Sequence, residues 1–115
     1  MRYNVHDITG EFATDADSGQ TLYERVYPQV KAGKPVELDF EGVHVFASAF
    51  FNFAVGQLLS DLSTEHLNTY LSVQNLSPDG HSVLKRVIDN AKQYYGDRQY
   101  REAVDSVMEE YAASF

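Results

Sequence analysis

The chain has no cysteine. Disulfides, thiolate chemistry and cysteine-ligated zinc are therefore excluded. Positive charge is scarce: nine Lys and Arg stand against 17 Asp and Glu, for a formal net charge of −8. Direct binding to a nucleic-acid backbone needs clustered cations, and they are missing. No apolar stretch approaches the roughly 20 residues of a membrane span, and no basic stretch near Met1 leads into an apolar run. The expectation is a protein without a signal peptide or a membrane segment, in the cytoplasm. Glycine-rich phosphate loops, a Gly-x-Ser-x-Gly elbow and a His-Glu-x-x-His pair are all missing from the sequence. His6, His44, His66 and His81 include no pair at the i, i+4 spacing of helical metal ligands. Neither cofactor nor metal nor enzymatic activity is expected.

What the chain does have is enough length and apolar content for one domain spanning residues 1–115, at 43% hydrophobic residues. Its charge is uneven. Residues 36–80 contain no Lys or Arg but hold Glu37, Asp39, Glu41, Asp61, Glu65 and Asp79. Such a region can steer a basic partner. It can equally be a solubilising surface.

Periodicity gives the elements. Residues 2–8 alternate weakly, as a strand. Residues 10–19 are polar and read as a loop. Leu22, Val26, Tyr27 and Val30 have helical spacing from about Ser18 to Ala32, with Pro28 expected to kink or shorten the helix. Val36, Leu38 and Phe40 alternate with acids, as a strand that Gly42 ends. Residues 43–46 are short and extended. Ser48 is expected to cap a helix to about Leu62, with Phe50, Phe51, Ala54, Val55, Leu58, Leu59 and Leu62 on its core face. Residues 69–76 alternate as a strand. Ser77 and Pro78 open a helix that Gly96 stops. Asp97 begins a last helix with Tyr100, Val104, Val107, Met108, Tyr111 and Phe115 as its stripe, a surface that could mediate a homodimer. Strands alternating with helices imply a covered sheet with right-handed crossovers.

Two places could carry function. Glu37, Asp39 and Glu41 share one strand face. They could hold a hard cation such as Mg²⁺, or keep an edge strand from pairing. Asp39 could instead accept backbone N–H groups of the following turn. Ser48 is either a helix cap or a phosphorylation or docking site. As a nucleophile it lacks a neighbouring base.

Asp39-Phe40-Glu41-Gly42-Val43, then Ala47-Ser48-Ala49-Phe50, Leu58-Leu59 and the strand Leu71–Leu76 resemble the STAS-like domain family of unknown function. The resemblance covers roughly residues 15–92. That family is similar to the STAS domains of sulfate transporters and anti-sigma-factor antagonists. The resemblance implies an α/β, STAS-like fold: a mixed sheet of about four strands with helices mainly on one face; the extra C-terminal helix 97–113 lies beyond the part that matches. In the antagonists the corresponding turn carries Asp-Ser-Ser-Gly, and a GHKL-type kinase phosphorylates its second serine. Here Ser48 aligns with the first serine, and Ala49 stands at the acceptor position. What the resemblance implies is a regulatory protein that binds another protein, an anti-sigma-type ATPase or kinase. Ser48, Asp39, Glu41, Phe50, Phe51 and Asn52 form the expected contact region. The alternative is an acidic inhibitor of phage or mobile-element origin that mimics nucleic-acid charge.

Overall fold

The computed structural model describes residues 1–96. The expected last helix from Asp97 to Phe115, with any homodimer built on it, lies outside them.

The described elements run β1 (Arg2–Asn4), α1 (His6–Thr9), β2 (Phe12–Ala13), α2 (Ala16–Lys31), β3 (Val36–Asp39), β4 (Val45–Phe46), α3 (Ser48–Ala54), a 3₁₀ segment (Gly56–Ser60), α4 (Thr64–Tyr70), β5 (Leu71–Gln74) and α5 (Pro78–Gly96). The five strands form two small sheets, not one mixed sheet of four. β1, β3 and β5 make a three-stranded sheet in that order, and β2 pairs with β4. All pairs are parallel, because crossovers rather than hairpins join every neighbour. Gly42 separates the sheets. Its φ of 85° turns the chain out of β3, and the following segment pairs with β2 instead of lengthening β3.

Strand order fixes the layers. The chain steps from β1 to β3 to β5 in one direction across the sheet. Right-handed crossovers that never reverse put their helices on the same face. The registers agree. Tyr3, Leu38 and Val73 align across the sheet and pack with the core. Arg2, Glu37 and Ser72 align on the other side, as do Asn4, Asp39 and Gln74. Charges on β3 therefore do not guard an edge, since β3 is the central strand.

α2 shows why Pro28 is tolerated. The helix runs through it, opened by Asp15, whose carboxylate accepts the Ser18 N–H at 2.9 Å. Pro28 lacks only the N–H that would reach the carbonyl of Glu24, and both residues lie on the exposed face. On an exposed face a carbonyl left without its helical donor can be hydrated at little cost.

Four phenylalanines tie the elements together. Phe40 follows β3, Phe46 is in β4, and Phe50 and Phe51 are in α3. Ring centroids lie 5.9 Å apart for Phe40–Phe51 and Phe46–Phe51, and 5.4 Å apart for Phe50–Phe51. Each buried ring contributes about 1.5–3 kcal/mol. The expected helix to Leu62 breaks at Val55 (φ −127°) and continues as the 3₁₀ segment. At that break Gly56 lets α5 approach: a Cβ there would stand 3.1 Å from Val87.

α2 and α3 approach closely at Gly19, where a Cβ would overlap the Phe50 carbonyl and lie 3.0 Å from the Phe53 Cβ. Gly19→Ala is therefore expected to lower stability by about 1–3 kcal/mol, read from urea unfolding. An unchanged midpoint would show that the two helices can separate freely.

Candidate functional site

Asp39 is the one buried charged side chain among the described residues, 3% exposed. It ends the central strand. Its Oδ1 accepts the Glu41 backbone N–H at 2.9 Å and the Asn75 amide at 3.0 Å. Its Oδ2 accepts from the Arg2 guanidinium. These partners come from all three strands: Arg2 from β1, the turn after β3, and Asn75 directly after β5. Asn75 holds a φ of 58°, in the left-handed region, which asparagine tolerates better than most residues. The Asn75 amide, the Glu41 N–H and the Arg2 guanidinium hold the Asp39 carboxyl well below its ordinary value, at about 2.

This geometry selects among the readings of the acidic strand. Asp39 accepts from the turn, and both of its oxygens are engaged. Glu37 shares its face and lies 3.8 Å from Arg2, whereas Glu41 has left the strand and is exposed. Among the described residues no group of three or more His, Asp or Glu is placed to hold a metal ion.

The turn to α3 differs from expectation. Ala47, not Ser48, is the N-cap, with extended φ −132° and ψ 151°, and no side chain caps the helix. Ser48 is the first helical residue and is exposed. α3 is held instead by burying Phe50, Phe51 and Ala54. Phe50 and Phe51, expected in the contact region, are fully buried and belong to the core. Asn52 is exposed and lines an open groove of about 390 Å³ between α3 and α5, with Gln57, Asn90 and Tyr94.

Besides Met1, the exposed large apolar residues among the described ones are Phe12 at 57%, Val45 at 44% and Phe53 at 42%. Phe12 and Val45 are register partners across the β2–β4 ribbon. Ala13 and Phe46, the other pair, point to the core. Phe53 stands on α3 beside Gly19 of α2. One sequence signal pointed to Phe53: it is an apolar residue that falls off the helical core stripe. Phe12 sits in a stretch too polar and too short to show a period.

Two outcomes follow. Ser48→Ala is expected to change stability by less than about 0.5 kcal/mol. Ser63→Ala is expected to cost about 0.5–2 kcal/mol, because Ser63 caps α4 by accepting the His66 N–H at 3.1 Å. Urea unfolding of both variants checks the contrast, and equal losses would restore Ser48 as a cap. The Asp39 carboxyl is depressed in the fold, so its contribution is complete above its unfolded pKa of about 3.9. It is lost as pH falls toward about 2. Asp39→Asn should be less stable at neutral pH and should lose less further stability over that window. Parallel curves for the two proteins would contradict this.

No curated protein and no solved structure matches the chain. Residues 18–81 match the family described as the STAS-like domain of unknown function, from α2 through the first turn of α5. The match spans more than half of the sequence and contains the Asp39 turn, β4 and α3. The chain belongs to the STAS-like domain family of unknown function.

Proposed function

We propose that this chain is a small, non-enzymatic regulatory module that works by binding another protein. Its contact face is the β2–β4 ribbon together with the exposed side of α3. One observation carries the reading. Phe12, Val45 and Phe53 are exposed on elements that meet around the β4–α3 junction. Phe12 and Val45 are register partners, and large apolar side chains left in water are favourable seats for a partner. The junction is also where the sequence resembles the strand-to-helix turn of the anti-sigma-factor antagonists. That resemblance makes a GHKL-type ATPase or kinase the partner class to try first, in the cytoplasm.

Docking here does not need a phosphate. Ala49 stands at the family's acceptor position, and Ser48 serves as an exposed contact beside the apolar residues. The acidic-inhibitor alternative rests on charge alone, whereas the exposed Phe12, Val45 and Phe53 favour an apolar protein contact.

Photo-crosslinking in the native cell tests the proposal. A crosslinking residue at position 12, 45 or 53 is expected to capture one shared protein. The same residue at Ser72, on the polar sheet face, is expected to capture none. Equal capture from position 72, or none from the three, would reject the face. The captured band should persist in Ser48→Glu and Ser48→Ala backgrounds alike. Its loss in Ser48→Glu alone would show a phosphate-sensitive switch.

A further inference from the structure

The sequence has two long stretches without Lys or Arg, residues 3–24 and 35–84. They are separate in the chain, and the fold joins them. β2, from the first stretch, pairs with β4, from the second. The first half of α2 lies against α3 at Gly19. Glu11, Asp15 and Asp17 from one stretch and Glu41 from the other are all exposed. The flanking cations are Arg2 on β1, Arg25 in the second half of α2, and Lys85 and Arg86 on α5, which packs against β4 and α3. Phe12, Val45 and Phe53 thus lie on elements drawn wholly from base-free sequence.

We infer that the occupant of this face is a cationic protein segment in which an apolar side chain is flanked by Lys or Arg. The inference rests on the docking face described above and names the chemistry of what binds it. The apolar residues supply burial. Glu11 beside Phe12, with the exposed Asp15, Asp17 and Glu41, supplies steering and rejects an acidic competitor. A second copy of this chain brings the same carboxylates against their like and is disfavoured by the same argument.

Three synthetic peptides of equal length test it, titrated into the isotope-labelled full chain while amide shifts are followed. One alternates Lys with Leu, one Glu with Leu, and one Lys with Ser. The Lys–Leu peptide is expected to move the amides of residues 11–13, 45–46 and 49–53. Its affinity should fall about tenfold or more from about 50 to about 300 mM salt. The Lys–Ser peptide should bind about tenfold more weakly, since it lacks the apolar contact. The Phe12→Ser, Phe53→Ser double variant changes only exposed residues. It should keep a folded spectrum and lose the Lys–Leu response.

Equal binding of the Glu–Leu peptide at the same amides would overturn the cationic occupant and leave the docking face standing. Equal binding of the Lys–Ser peptide would overturn the apolar part. If no peptide moves these amides, the inference falls, and crosslinking from positions 12, 45 and 53 decides the docking face separately. A concentration-dependent dimer that the double variant abolishes would also overturn it, by making a second copy the occupant.

Discussion

The packing of Phe40, Phe46, Phe50 and Phe51 into one aromatic cluster is what the rest of the structure depends on. The cluster joins the end of the central strand, the second strand of the small ribbon and helix α3. α3 has only seven residues and no side-chain cap, so its own backbone cannot hold it. Burying Phe50 and Phe51 does, and their rotation inward leaves Ser48, Ala49, Asn52 and Phe53 on the outside. The proposed contact face is in this sense the reverse side of the core.

A second constraint lies at the same end of β3, one residue before Phe40. Asp39 draws hydrogen bonds from β1 and from just beyond β3 and β5, through Arg2, the Glu41 N–H and Asn75. A carboxylate satisfied this fully is poorly placed for metal binding or catalysis. Its role is to fix the turn at Gly42, from which the chain leaves the main sheet toward β4. The sheet sets the geometry, and the proposed recognition falls to the ribbon and α3.

Much of this was legible in the sequence. The alternation Val36, Leu38, Phe40 gave β3, and the spacing of Leu22, Val26 and Val30 gave α2. Ser77 and Pro78 marked the start of α5, where Ser77 accepts the Gly80 N–H at 3.2 Å. Other parts were hidden for physical reasons. Thr69 and Tyr70 favour strands, yet they close α4, whose signal was the capping Ser63. β2 and β4 have two residues each, too few to show a period, and only their pairing makes them a ribbon. The site divided in the same way. Of the expected contact residues, Ser48 and Asn52 are exposed, whereas Phe50 and Phe51 are core. Their exposed counterparts, Phe12 and Val45, are neighbours only through a contact distant in sequence.

The central claim is that Phe12, Val45 and Phe53 serve recognition while Phe50 and Phe51 serve the fold. Saturation mutagenesis of these five positions, scored in the native cell for abundance and separately for function, tests it most directly. The account predicts that polar residues at Phe12, Val45 and Phe53 preserve abundance and abolish function, whereas polar residues at Phe50 and Phe51 abolish both. Abundance lost equally at all five positions, or function untouched by changes at Phe12, Val45 and Phe53, would contradict it.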